Sequence, residues 1–122
     1  MEIKGTATTP YIKFEPKQGK LEIRGRSVPE NPIQFYMFWL ESMVQYVANP
    51  VSPTVVTIHL EYFNTTSSRC ILKILRHLKE VEAKGVKVII NWYYDGEDTD
   101  IKEVGEDFQS IVNLPFNIQK AE

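Results

Sequence analysis

The sequence predicts an α/β fold in a single domain, residues 1–122, built on a mixed sheet of four to five strands in the order ββαβαβα(β). Three observations carry this expectation. Two short alternating runs flank a turn near the start. Two longer β-branched runs, residues 54–63 and 86–94, are separated by a segment of helical periodicity, and such a strand–helix–strand unit closes as a right-handed parallel crossover. Finally, both long runs are apolar on one side only. Val56, Ile58, Leu60 and Tyr62 oppose Val55, Thr57, His59, Glu61 and Phe63, while Val88, Ile90 and Trp92 oppose Lys87, Ile89, Asn91 and Tyr93. A parallel strand covered on both faces is apolar on both, so one face of this sheet is expected to be lightly covered.

In chain order, residues 1–10 carry Thr6, Thr8, Thr9 and Pro10 and read as a loose lead-in. Ile12 and Phe14, then Leu21 and Ile23, point inward from two strands joined at Pro16, Lys17, Gln18 and Gly19, which is a hairpin pattern. Asn31 and Pro32 supply an N-cap and a first-turn proline. Ile33, Met37, Leu40, Val44 and Val47 then recur at helical spacing as the expected core stripe, with Phe35, Phe38, Trp39 and Tyr46 as a second apolar row. Asn49, Pro50 and Pro53 end that helix. A second helix is expected over residues 69–84, with Ile71, Leu72, Leu75, Leu78 and Val81 inward and Arg69, Lys73, Arg76 and Lys84 as a basic outer flank. Gly85 follows as its terminating glycine. Ile101, Val104, Phe108 and Ile111 mark a third helix, interrupted by Gly105. A glycine there costs roughly 1 kcal/mol relative to alanine, so it marks either a close approach or a weak point. Residues 116–120 are a possible short edge strand.

Composition narrows the function classes. A net charge of −2 gives no global field for nucleic acid. One cysteine, Cys70, excludes a disulfide framework and fits a reducing compartment. There is no signal-peptide core at the start and no run near the ~18–20 apolar residues of a membrane span, so a cytoplasmic protein is expected. No glycine-rich phosphate loop or nucleophile elbow is present, and no cofactor is expected. The acids Asp95, Glu97, Asp98 and Asp100 lack EF-hand spacing and suit the dipole of the helix they precede. The enzymatic alternative is a small metal-dependent site in which Asp95, Asp98 and His59 line one pocket. Neither His59 nor His77 stands in a ligand-spaced motif, and Cys70 reads as a small buried or half-buried side chain.

The stretch between the first long strand and the second helix is the main functional candidate. Asn64, Thr65, Thr66, Ser67 and Ser68 are five small polar residues in succession. Their oxygens suit helix capping, and the helix start also favours a phosphate dianion. A phosphorylated Thr65 would gain a charge of about −1.5 to −2, with Arg69 as a charge-assisted partner and Glu61 opposing it. Capping alone and a regulated phosphorylation site both account for these residues. A purely structural subunit is a third reading.

Tyr62, Phe63, Asn64, Thr65, Thr66 and Ser67, together with Arg26, Ser27, Val28, Pro29, Glu30 and Asn31, resemble motifs of the SiaC family of bacterial regulatory phosphoproteins. Trp92, Tyr93, Tyr94 and Asp95 and the opening Thr9, Pro10, Tyr11 and Ile12 do so too, in the same order and with similar spacing. The resemblance implies a STAS-like fold, as in anti-sigma-factor antagonists, with helices packed mainly on one sheet face. It also implies a non-enzymatic switch. A partner kinase would phosphorylate the threonine after the asparagine, here Thr65, and a PP2C-like, metal-dependent serine/threonine phosphatase would reverse it. One form would bind and activate a diguanylate cyclase, raising cyclic di-GMP and favouring biofilm or aggregation. The family pattern Asn-Thr-Ser-Ser reads Asn-Thr-Thr-Ser-Ser here, which leaves Thr66 as a rival acceptor. Asn64, Thr66, Ser67, Ser68 and Arg69 would surround the phosphate, and Lys73, Arg76, Glu61 and Glu30 are candidate partner contacts. An antagonist-type module for another partner is the alternative within the fold.

Overall fold

The computed structural model describes residues 1–122. The elements are β1 (Glu2–Ile3), β2 (Tyr11–Glu15), β3 (Lys20–Ser27), α1 (Pro32–Ala48), β4 (Thr54–Phe63), α2 (Thr65–Ala83), β5 (Val88–Asp95), α3 (Thr99–Val112) and β6 (Phe116–Ala121). The sheet is mixed, as expected, but has six strands. The additional strand comes from the lead-in, where Glu2 pairs with Lys13 and Ile3 with Ile12. The possible edge strand at the other end forms as β6, parallel to β5.

The sheet order is β1-β2-β3-β4-β5-β6, antiparallel from β1 to β3 and parallel from β3 onward. Each crossover therefore steps to the next strand in the same direction. Right-handed crossovers that all step one way put every helix on the same face. Ile12, Phe14, Leu21, Ile23, Val56, Ile58, Leu60, Ile90 and Trp92 are buried on that face. The opposite face carries Lys13, Glu22, Arg24, Thr57, His59, Asn91 and Tyr93, exposed or half-buried. The one-sided polarity of the sequence has this architecture as its cause.

Helix α2 is phased as its periodicity predicts. Ile71, Leu75, Leu78 and Val81 are buried, joined by Cys70 and Ile74, while Leu72 is half-buried. Helix α1 departs from expectation. Its buried residues are Tyr36, Trp39, Met43 and Tyr46. The row assigned to the core is turned outward: Ile33 is 62% exposed, Met37 51% and Val44 56%. The first turns of α1 are apolar nearly all round, so periodicity could not phase them. The large aromatic rings fill the space above the sheet; Ile33, Met37 and Val44 remain in solvent, while Leu40 and Val47 are half-buried against the core. In α3, Ile101, Phe108 and Val112 are buried, whereas Ile111 lies outside.

The alternation of β4 also breaks. Gly25 pairs with Leu60 but Arg26 pairs with Tyr62, so Glu61 is an extra residue in β4. A bulge of this kind moves every following side chain to the other face. Tyr62, expected inside, is 51% exposed and carries the Arg26 guanidinium 5.7 Å above its ring. Phe63, expected outside, turns inward and meets Trp92 edge-on at 6.4 Å. The bulge thereby aims the end of β4 at the start of α2.

Candidate functional site at the start of helix α2

Three strand and helix ends converge here: the end of β3, the bulged end of β4 and the first turn of α2. Helix α2 begins at Thr65, four residues before the expected start at Arg69. The reason is Asn64, whose Oδ1 accepts the Ser67 N–H at 2.8 Å and whose carbonyl accepts the Ser68 N–H at 2.9 Å. Side-chain capping of this kind satisfies donors that a helix start otherwise leaves orphaned. It also corrects the expected anion cradle. The amides of Ser67 and Ser68 are occupied, and the free ones are those of Thr65 and Thr66.

The five hydroxyl and amide side chains are no longer interchangeable. Thr65 is exposed, Thr66 and Ser68 are half-buried, and Ser67 is completely buried. Ser67 belongs to a chain of hydroxyls beneath the turn. Ser27 Oγ donates to Ser67 Oγ at 2.9 Å, and Tyr36 Oη lies 2.7 Å from Ser27 Oγ. Because Ser27 has a single proton and gives it to Ser67, the Tyr36 O–H donates to Ser27. Burial raises the Tyr36 pKa well above its ordinary value, with the Ser27 hydrogen bond opposing the shift, so the phenol keeps the proton this chain requires. The amide of Asn64 also donates to the Ser27 carbonyl at 3.1 Å. Ser27, Tyr36 and Ser67 thus tie β3, α1 and the first turn of α2 together under the exposed Thr65.

Removing one member of such a buried chain leaves a neighbour without its partner, which costs about 1–3 kcal/mol. Tyr36→Phe and Ser67→Ala are each expected to lower unfolding free energy by about 1–2 kcal/mol, read from urea midpoints at unchanged slope. The double variant should lose less than the sum of the two, because both break the same chain.

The remaining candidates fall around this turn. Thr65, Arg69, Lys73 and Arg76 stand at helical spacing on one outer face of α2, and all but the threonine are cationic. Arg69, Lys73 and Arg76 are exposed, and none of them pairs with a carboxylate. Lys73 and Arg76 line a cleft of about 440 Å³ with Leu40, His77 and Glu80, in which Glu80 is held by His77 Nδ1 at 2.6 Å. Glu61 is the exposed bulge residue, and Glu30 is exposed just before α1. Cys70 faces α1, its Sγ 3.9 Å from the Pro32 carbonyl. Burial raises the thiol pKa against a lowering by Lys73, and the cysteine is a small buried side chain, one of the two placements expected.

The acidic loop does not assemble the enzymatic alternative. His59 Nε2 lies 2.8 Å from Asp95 Oδ1, but Asp98 caps α3, its Oδ1 accepting the Ile101 N–H at 3.2 Å. The cleft that contains Asp98 is lined by Glu61, Tyr62, Phe63, Asp100, Ile101 and Val104, without His59 or Asp95. No group of three or more His, Cys, Asp and Glu side chains is placed to hold a metal ion. No helix is long and apolar enough to cross a membrane.

Sequence reasoning placed Ser27 in a family motif without giving it a role, and missed Tyr36 and the outward row of α1. The hydroxyl chain joins residues 9 and 40 positions apart, so no local pattern reveals it. The row was visible as a stripe, but nothing in its spacing said which way it faced.

Comparison with known proteins agrees with this architecture. The family model described as SiaC family regulatory phosphoprotein matches residues 3–121. An uncharacterized protein of Pseudomonas aeruginosa strain UCBPP-PA14 is 30% identical over 119 residues, covering 98% of this chain and 94% of its own. Among solved structures, the crystal structure of diguanylate cyclase SiaD in complex with its activator SiaC from Pseudomonas aeruginosa contains a chain that is 30% identical. It superposes with a TM-score of 0.90 over 99% of both chains. SiaC of Pseudomonas aeruginosa matches with a TM-score of 0.87 at 29% identity, over 99% of this chain and 98% of that one. Fold, order of elements and sequence agree over almost the whole length, and the chain belongs to the SiaC family of regulatory phosphoproteins.

Proposed function

We propose that this chain is a non-enzymatic switch that binds and activates a diguanylate cyclase, and that phosphate on Thr65 sets whether it does so. The observation that carries the reading is the sorting of the hydroxyls at the start of α2. Thr65 alone among Thr65, Thr66, Ser67 and Ser68 is exposed, beside its own free amide and that of Thr66, with Arg69 one turn along the helix. A dianion there is favoured by the free N–H groups and the helix dipole and alters the charge of the adjoining surface. A kinase would load the site and a metal-dependent phosphatase would clear it. Membership of the family and the neighbour described as a cyclase activator support the cyclase as target.

The test is binding of the host's diguanylate cyclase to wild-type chain, to chain phosphorylated by its kinase, and to Thr65→Asp. Phosphate is expected to change affinity by tenfold or more, and Thr65→Asp by a smaller factor in the same direction, since it supplies about half the charge. Equal affinity of all three would overturn the proposal.

A further inference from the structure

The two edges of the sheet are finished differently. At one edge β1 has two residues, and the Met1 ammonium beside it donates to the Phe14 carbonyl at 3.0 Å. At the other edge β6 has six residues, from Phe116 to Ala121, and pairs with β5 alone. Its register against β5 runs without a shift from Ile90 and Phe116 to Asp95 and Ala121, so no bulge bends it away. It contains no proline, and its one charge, Lys120, stands near its end. The Phe116 N–H is taken by Gln109 Oε1 at 2.7 Å, and the rest of the outer backbone row of β6 bonds to no other element. Natural sheets blunt exposed edges with short strands, prolines, bulges or charges. The edge at β1 follows that rule, and the edge at β6 follows it least.

An open edge of this kind receives an added strand through its main-chain groups, and the side chains of β6 say which strand fits. Side chains alternate along a strand. Phe116 and Ile118 pack toward the core on the helix face, with Lys120 in line with them, while Asn117 and Gln119 are exposed on the open face. A second β6 brought alongside by a two-fold axis perpendicular to the sheet runs antiparallel and keeps its helices on the same face. Residues of the same face then oppose one another. Centred on Ile118, this pairing sets Ile118 against its own copy, Asn117 against Gln119 of the second copy, and Lys120 against Phe116 of the second copy. Aliphatic meets aliphatic, amide donors meet amide acceptors, and the lysine stem lies along a ring. No like charges oppose each other, because Lys120 never faces Lys120.

We propose that β6 pairs antiparallel with β6 of a second copy of this chain, centred on Ile118, and joins two sheets edge to edge. A two-fold contact uses the same patch on both partners, and this strand is complementary to itself in that register. The seam lies two strands from β4 and leaves the start of α2 uncovered, so the pairing stands independently of the proposed switch. A single strand pair is small beside the ~1,200–2,000 Å² of a standard interface, so the dimer forms reversibly with concentration.

The experiment is equilibrium sedimentation of the full chain from about 10 μM to about 1 mM, the range in which a weak contact is half-formed. The wild-type chain is expected to pass from monomer to dimer. The double variant Asn117→Lys, Gln119→Lys sets lysine against lysine at both flanks of Ile118 and is expected to raise the dissociation constant about tenfold. The double variant Asn117→Lys, Gln119→Glu sets lysine against glutamate at the same places and is expected to keep the wild-type constant or lower it. Both positions are exposed, and an unchanged unfolding midpoint at low concentration verifies that each variant is folded. A wild-type chain that stays monomeric to about 1 mM would overturn the proposal. A dimer that both variants weaken equally, or that neither changes, would overturn it too, because only the antiparallel register centred on Ile118 sets position 117 against position 119.

Discussion

Thr65→Ala is expected to abolish phosphorylation of the chain by its kinase, while Thr66→Ala retains it. The measurement is intact mass after exhaustive kinase treatment, with a gain of one phosphate in Thr66→Ala and none in Thr65→Ala. The reason is access. Thr65 is exposed at the first position of α2, whereas Thr66 is half-buried and Ser67 is completely buried in the hydroxyl chain with Ser27 and Tyr36. Moving Ser67 out to a kinase would break that chain and the Asn64 cap together, each worth about 1 kcal/mol or more. A full phosphate gain in Thr65→Ala, mapped to Thr66 or Ser68, would show that exposure in this turn does not select the acceptor.

Trp92→Ala is expected to cost about 3–5 kcal/mol, the range for deleting a large buried aromatic side chain. The corresponding fall in Tm is roughly 10–25 °C for a chain of this size. Trp92 is completely buried at the centre of β5. Its ring meets Phe108 edge-on at 5.6 Å and stacks with Phe116 at 6.2 Å, and its Nε1–H donates to the Ile101 carbonyl at 2.9 Å. The indole also explains the glycine in α3. A Cβ on Gly105 would lie 2.6 Å from the indole Cδ1 and Nε1, so the close approach inferred for this residue is the correct alternative. Gly105→Ala should therefore destabilise by about 1–3 kcal/mol despite its better helix propensity. In the Trp92→Ala background the clash is gone and most of that cost should disappear. An unchanged cost in that background would place the strain elsewhere.

The elements that were legible in the sequence are those in which one side of the pattern is polar. Helix α2 has Arg69, Lys73, Arg76 and Lys84 outside and Ile71, Leu75, Leu78 and Val81 inside, so its phase follows from its periodicity. Strands β4 and β5 likewise declared which face met the helices. Helix α1 did not, because from Phe35 through Leu40 it is entirely apolar. Two stripes competed for the core, and the sheet's need for bulky filling decided in favour of Tyr36, Trp39 and Tyr46. The bulge at Glu61 lies where Gly25 of β3, with a φ of 103°, meets β4; nothing within β4 itself announces it, yet it exchanges the faces of Tyr62 and Phe63.

The candidate site was legible to a similar degree. Capping chemistry marked five polar residues and the family resemblance singled out one, while the exposure of Thr65 depends on the long-range burial of Ser67. The basic flank of α2 was read directly from its residues. Both failures of phase, in α1 and at the end of β4, fall next to the proposed switch, which is where a sequence is expected to break a local rule.

Under the proposed function, phosphate on Thr65 controls the action of this chain on a cyclase. The most direct measurement is the rate of cyclic di-GMP synthesis by the host's diguanylate cyclase with increasing amounts of the chain, either free of phosphate or stoichiometrically phosphorylated. One form is expected to stimulate synthesis to saturation and the other at least tenfold less effectively, with phosphatase treatment of the phosphorylated chain restoring the behaviour of the phosphate-free one. Equal stimulation by both forms would rule out control by this phosphate.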